Sequence, residues 1–237
     1  MDSSRAVVAI DGPSGSGKSS TSRGVARALG LDYLDTGAMY RAMAWYMLEQ
    51  GVDTADPAAI AALADQPALL STTDPDSPTI AVDGVDVSDP IRGEAVTGAV
   101  SPVAAVPEVR ARLVELQRDV VRRSVASGRG IVVEGRDIGT VVLPEATAKV
   151  FLTADAEARA ARRALEDAGR AGESAPAAGD IAATAASLAE RDAIDSGRAV
   201  APLRRADGAV EVDGTYLTLD EVIATIVAIV EDACAPE

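Results

Sequence analysis

The chain has 237 residues, 48% hydrophobic and 25% charged, with a formal net charge of −15 at neutral pH. That size and balance suit one globular domain with a full core, and the acidic excess excludes a general nucleic-acid binder, which needs a basic field. Histidine and asparagine are absent and cysteine occurs once, at Cys234. This removes His-based triads, most zinc sites, an intramolecular disulfide, the N-K-x-D guanine signature of GTPases and the asparagine of the protein-kinase catalytic loop.

No secretory signal and no run of roughly 18 apolar residues is present, so a cytoplasmic protein with no membrane partner is expected. Residues 7–11 form a short apolar run, suited to a buried parallel strand. It breaks into Gly12, Pro13, Ser14, Gly15, Ser16, Gly17, Lys18 and Ser19, which fit G-x-x-x-x-G-K-[ST] without mismatch. A helical pattern follows, with Val25, Ala26 and Leu29 on one side and Arg23 and Arg27 on the other.

Glycines let the backbone curl so that successive N–H groups point at an anion, and the helix N-terminus adds partial positive charge. Lys18, one of two lysines beside Lys149, reaches terminal phosphates, and the Ser19 hydroxyl can join a Mg²⁺ shell. A Gly/Ser-rich turn could fit the pattern by chance. A strand before it and a helix after it are the context that confirms phosphate binding.

Gly30 stops the first helix and residues 31–35 read as a second strand. Thr36-Gly37 then opens a helix over 38–49, whose Met39, Met43, Trp45, Met47 and Leu48 read as core, and Gly51 closes it. Residues 57–70 predict a short Ala/Leu helix and 71–78 a polar loop. Asp83-Gly84 then centres a hairpin that pairs Val82 with Val85 and Ile80 with Val87 on one face. This marks a small β-containing insertion at about 56–95.

Residues 107–127 predict a helix with Val109, Leu113, Leu116, Val120 and Val121 inward, ended by Gly128. Residues 130–134 and 149–153 are further buried strands. The turn 135–140 between them lies at the carboxyl end of a strand, the edge where open α/β sheets bind ligands. An arginine-studded helix follows at 155–170, carrying Arg159, Arg162, Arg163 and Arg170, then an Ala/Gly-rich stretch at 168–179 expected to be mobile. A helix at 181–195, a strand at 209–212 and a helix at 218–232 complete the pattern. Strands alternate with helices, so the fold class is α/β: a P-loop NTPase-type parallel sheet flanked by helices, with right-handed crossovers.

Arg41, Arg110, Arg136, Asp137, Arg191, Asp195 and Arg198 gather at the ends of predicted elements. Arg191, Asp195 and Arg198, spaced i, i+4, i+7, share a helical face, which alone also describes a surface ion pair. Arg136-Asp137, just after a buried strand, points more firmly to a site. An acceptor that is itself a phosphate monoester is already anionic at neutral pH. Catalysis then needs charge screening by Arg, Lys and Mg²⁺ rather than a strong general base.

IDGPSGSGKSS at 10–20, LDTGAMYR at 34–41, SPVAAVPEVR at 101–110, EGRDIGTVVLP at 134–144 and RDAIDSGRAVAPL at 191–203 occur in that order. In this the chain resembles the bacterial cytidylate (CMP) kinases. The resemblance implies one P-loop kinase domain over 1–237: a core at about 1–55, 96–155 and 196–237, an acceptor-side insertion at 56–95 and a lid at 156–195. It implies transfer of a phosphoryl group from ATP to CMP and dCMP, with Mg²⁺ as cofactor. No long apolar surface helix or heptad suggests obligate assembly, so a monomer is the default expectation.

Residue by residue, the resemblance gives Gly12, Pro13, Ser14, Gly15, Ser16, Gly17, Lys18, Ser19 and Ser20 to ATP, with Ser19 on the ATP-bound metal. Ser101, Arg110 and Asp137 would read cytosine, and Arg41, Arg136 and Arg198 would hold the acceptor phosphate, with Arg191 and Asp195 at the ribose. Lys18, Arg136, Arg198 and a lid arginine, Arg162 or Arg163, would serve catalysis. Thr36 either touches the acceptor nucleotide or caps the following helix. Glu134 stands where many relatives carry Asp. A P-loop kinase for another acceptor and an ATP-binding regulatory module are the rival readings, and the missing asparagine opposes a GTPase.

Overall fold

A computed structural model describes residues 3–171, 175, 178–197 and 201–235. The chain begins with strand β1 (Val7–Asp11), helix α1 (Lys18–Leu29), β2 (Asp32–Asp35) and α2 (Thr36–Glu49). The next stretch holds α3 (Pro57–Leu63), β3 (Leu69–Ser71), β4 (Ile80–Val82), β5 (Val85–Asp86), α4 (Glu94–Ala105) and α5 (Pro107–Ala126). β6 (Ile131–Gly135), β7 (Ala148–Thr153), α6 (Ala156–Ala171), α7 (Ala178–Gly197), β8 (Val210–Asp213) and α8 (Leu219–Cys234) follow.

Among the described residues, parallel strands pair in the order β2-β6-β1-β7-β8, so the first strand of the chain lies at the centre. Its register sets Asp11 opposite Gly135 on one side and Phe151 on the other. Successive side chains of a strand point to opposite faces, and both faces here are covered. Ala9, Ile131 and Val133 pack with Met39, Met43 and Met47 of α2 and Leu113 of α5. Val8, Ile10 and Val132 pack with Val25 of α1 and Val222, Ile226 and Val230 of α8. The methionines of α2 are core, as their apolar setting predicts.

The insertion departs from expectation in two places. Helix α3 stops at Leu63, and residues 69–71 form β3, paired antiparallel with β4, instead of continuing a helix to residue 70. Pro67 is the reason, because it disfavours helical backbone at Gln66. The Asp83-Gly84 turn does pair Val82 with Val85, and the Val87 N–H donates to the Ile80 carbonyl at 2.9 Å. Yet Ile80, Val82 and Val87 are buried while Val85 is 58% exposed, since the apolar cover lies over β4 and not over its edge partner. On α5 the buried position next to half-buried Leu116 is Gln117. Helix α6 extends to Ala171 and α7 starts at Ala178, so much of the stretch expected to be a mobile connection is helical, and residues 172–174, 176 and 177 lie outside the described residues.

Sheet direction brings the carboxyl ends of β1, β2 and β6 to one edge. Asp35 there caps α2 by accepting the Ala38 N–H at 2.9 Å. Thr36 is therefore not the cap. Its hydroxyl donates to the Glu134 carbonyl at 2.6 Å, tying β2 to β6.

Candidate active site

The loop from Gly12 to α1 forms a cradle at that edge. Gly12 cannot carry a side chain, because a Cβ there would lie 2.0 Å from the Leu152 carbonyl oxygen. Gly17, just before α1, has φ +88°, the left-handed conformation that leaves the helix N-terminus open to an anion. Lys18 lies across the loop, its Nζ donating to the Pro13 carbonyl at 2.7 Å and to Ser16 Oγ at 3.4 Å. Withdrawal from solvent, then the nearby Arg136 charge, lowers the Lys18 pKa to about 8.

Two cavities flank the cradle. The first, of about 180 Å³, is lined by Ser14, Gly15, Lys18 and Ser19 at one end and by Thr36, Arg41, Ser101, Arg110, Arg136, Asp137, Arg191 and Asp195 beyond. The second, of about 310 Å³, lies on the other side of the loop against Ser16, Ser20, Thr21, Arg162 and Leu217. Gly15 and Arg163 line both.

In the first cavity Arg110 and Asp137 form a buried ion pair, with each side chain less than a tenth exposed. Arg110 also donates to the Ala104 carbonyl at 3.3 Å, and its guanidinium lies 5.5 Å from the centre of the Tyr40 ring. Ser101 comes from the last turns of α4, a helix the sequence pattern did not announce because Pro102 interrupts it. Arg41 donates to the Ile91 carbonyl at 3.2 Å and to Thr97 Oγ at 3.0 Å. Burial, then the facing guanidiniums of Arg191, Arg163 and Arg92, lower its pKa to about 9. Burial and Arg136 likewise lower that of Arg191 to about 10. These arginines crowd one another, and an anion placed between them would relieve the repulsion.

Arg136 joins the two halves. Its Nε reaches the buried Asp195 carboxylate at 2.7 Å, and its Nη2 donates to Ser14 Oγ. Arg191 and Asp195 face the cavity from one side of α7, as their spacing predicts, whereas Arg198 lies outside the described residues. Of the lid arginines, Arg162 donates to the Gly214 carbonyl beside the second cavity. Arg163, paired with Asp167 at 2.9 Å and Glu166 at 3.3 Å, faces both cavities.

Three residues were not singled out from sequence. Asp192 accepts the Ser14 N–H at 3.2 Å and pairs with Arg159, which also donates to the Ser14 carbonyl at 3.0 Å. Arg92 sits at the mouth, 3.5 Å from Asp35. Asp192 and Arg159 were legible only as helix charges, and Arg92 only as a residue after the hairpin.

Ser19 and Glu134 supply oxygen donors beside the cradle. Glu134 accepts from the Tyr33 hydroxyl through Oε1, and the Ser19 hydroxyl lies against the same buried carboxylate. Burial, then the Asp35 charge, raises the Glu134 pKa to about 7. A hydroxyl beside a buried carboxylate fits a hard, hydrated cation such as Mg²⁺, which keeps most of its shell for water and phosphate.

A parallel sheet with this cradle at its carboxyl edge, facing an arginine-lined cavity, defines a P-loop nucleotide-phosphate-binding protein. Residues 8–232 match the family described as cytidylate kinase. A cytidylate kinase of Streptomyces avermitilis is 56% identical over 226 residues, covering 95% of this chain and 93% of its own. One of Nocardia farcinica is 55% identical over 217 residues, covering 92% and 90%. A solved gluconokinase from Sinorhizobium meliloti aligns over 97% of this chain and 93% of its own at 16% identity, with a TM-score of 0.44. The chain belongs to the cytidylate kinase family.

Proposed function

We propose that this protein transfers the γ-phosphoryl group of ATP to CMP and dCMP, giving ADP and CDP or dCDP. The observation that carries the reading is the buried Arg110–Asp137 pair beside Ser101, in a cavity whose other end is the Lys18 cradle. The names of relatives at about this identity over nearly the whole chain agree with it.

In this reading cytosine meets Ser101, Arg110 and Asp137. The Asp137 carboxylate accepts from the exocyclic amino group and Arg110 donates to the ring acceptors. UMP presents a carbonyl to the same carboxylate, leaving both unpaired. Arg41, Arg136 and Arg198 hold the acceptor phosphate, and Arg191 and Asp195 meet the ribose. Residues 12–20 hold the ATP phosphates, with the adenosine in the second cavity.

An acceptor phosphate oxygen attacks the γ-phosphorus, the bond to the β–γ bridging oxygen breaks, and ADP leaves with that electron pair. No proton need move, which suits a site without histidine. Mg²⁺ bound with ATP, near Ser19 and Glu134, would neutralise phosphate charge. Lys18, Arg136 and a lid arginine screen the charge that builds up between the nucleotides. Of the lid pair, Arg163 is favoured because it faces both cavities. Closure of the 56–95 and 156–195 segments over the core would exclude water, which otherwise takes the phosphoryl group. The same reading takes the working unit as a cytoplasmic monomer.

A coupled ADP-release assay with Mg·ATP against CMP, dCMP, UMP, AMP and GMP, beside a no-acceptor control, tests this. Strong turnover with CMP and dCMP alone is the expected result. Preference for another acceptor would overturn the cytosine pocket. ADP release indifferent to every acceptor would overturn the transfer reaction.

A further inference from the structure

Asp11 is the last residue of β1 and the one immediately before the phosphate cradle, yet its side chain points to the other nucleotide's half of the site. Its Oδ1 accepts the Ile138 N–H and its Oδ2 the Gly139 N–H, each at 2.8 Å. The carboxylate is buried, 3% exposed, between strands that fix its backbone on both sides. Burial lifts its pKa to about 6, so at neutral pH it is ionised and both oxygens can accept.

The two N–H groups belong to the residues directly after Arg136-Asp137. Both ends of that dipeptide are thereby held: Gly135 by the sheet register with Asp11, and residues 138 and 139 by the Asp11 carboxylate. Arg136 is tied to Ser14 and Asp195, and Asp137 to Arg110. The sheet register and Arg136 hold the near side of the base-reading pair against the cradle, and the Asp11 carboxylate holds its far side.

We infer that Asp11 is a positioning residue for nucleobase selection: its carboxylate fixes the 136–139 turn so that Asp137 and Arg110 meet the acceptor base at the correct distance from the ATP phosphates. This rests on the cytidylate kinase reading of the same cavity. Asparagine cannot replace the carboxylate, because it has one acceptor oxygen and turns an NH₂ group toward the second N–H.

The test compares kcat/KM for CMP and UMP, and KM for ATP, in wild type and Asp11→Asn. Displacement of a reading group by a fraction of an ångström to an ångström costs on the order of ten- to a hundredfold. The expected result is a fall of about tenfold or more in the CMP-to-UMP ratio, with KM for ATP largely kept. A merely structural role would lower the melting temperature and turnover with all acceptors together, leaving the ratio alone. Gly139→Ala provides a second variant should Asp11→Asn fail to fold. Its Cβ would lie 3.1 Å from Ala206 Cβ and 3.2 Å from Lys149 Cδ, tighter than ordinary contact, so the turn that the Asp11 carboxylate holds must shift by a few tenths of an ångström to admit it. The ratio should fall there too. An unchanged ratio in the folded variants, with wild type selecting CMP, would overturn the role of Asp11 alone. Wild type that does not use CMP would overturn the underlying reading as well.

Discussion

The Asp192 carboxylate accepts the backbone N–H of Ser14 at 3.2 Å, so an acidic side chain of α7 rests on the phosphate cradle itself. It is also paired with Arg159 and lies 3.7 Å from Arg136. Amide hydrogens and guanidiniums are the partners a phosphate group would take, and the carboxylate competes for them. Asp192→Asn removes the charge and keeps an acceptor for Ser14. Inorganic phosphate should then inhibit ATP turnover at about tenfold lower concentration, the scale of one charge-assisted hydrogen bond. Weaker inhibition by phosphate in the variant would show that the carboxylate supports anion binding instead.

Asp137→Asn tests the buried pair. Losing one partner leaves the Arg110 charge buried alone, a cost of about 3–5 kcal/mol by analogy with other buried pairs, visible as a lower melting temperature. The new amide can donate to the carbonyl that uracil presents. Turnover with CMP should fall while UMP gains relative to it. A variant that loses both acceptors equally would separate Asp137 from base reading.

Lys18 gives a pH dependence of binding. Its folded-state pKa of about 8 lies below the ordinary 10.5, so the free protein sheds this proton as pH rises through 8. The ATP phosphates stabilise the charged ammonium, so binding above pH 8 must take the proton back. KM for ATP should therefore climb from pH 8 to 9.5, while kcat at saturating ATP changes little. A KM flat across that window would show that Lys18 stays charged in the free protein.

Glu134→Gln keeps an acceptor for the Tyr33 hydroxyl and removes a buried charge. The Glu134 pKa is raised from 4.5 to about 7, so folding holds its proton more tightly than the unfolded chain does. Its ionised form therefore costs stability in full above pH 7, and the cost fades as pH falls from 7 toward 4.5. In Mg²⁺-free buffer the variant should melt higher than wild type at pH 8.5, with little difference at pH 5. An equal gain at both would point to packing rather than charge.

The phosphate cradle was legible because every part of it is contiguous: strand, glycines, lysine and helix lie within 7–29. The sheet followed from apolar runs covered on both faces, and the hairpin from Asp83-Gly84. What sequence could not give were pairings across long chain separations. Asp11 reads as the polar end of a strand until the backbone of residues 138 and 139 is brought to it. Asp192 and Arg159 sit on helices where isolated charges are ordinary surface. The β3 strand was hidden because Leu69 and Leu70 continue the Ala/Leu texture of α3, and only Pro67 and the pairing with β4 separate the two.

β1 lies between β6 and β7, strands made about 120 and 140 residues later. The cradle's sequence leaves the ribosome first, but the walls that shape it leave near residues 131–153. At ~5–20 residues per second that interval lasts on the order of ten seconds. Through it the apolar run 7–10 must stay shielded from other chains. Gly12 packs against the Leu152 carbonyl of β7, so a polypeptide released before β7 would carry the whole phosphate-binding motif without the strand its first glycine rests on.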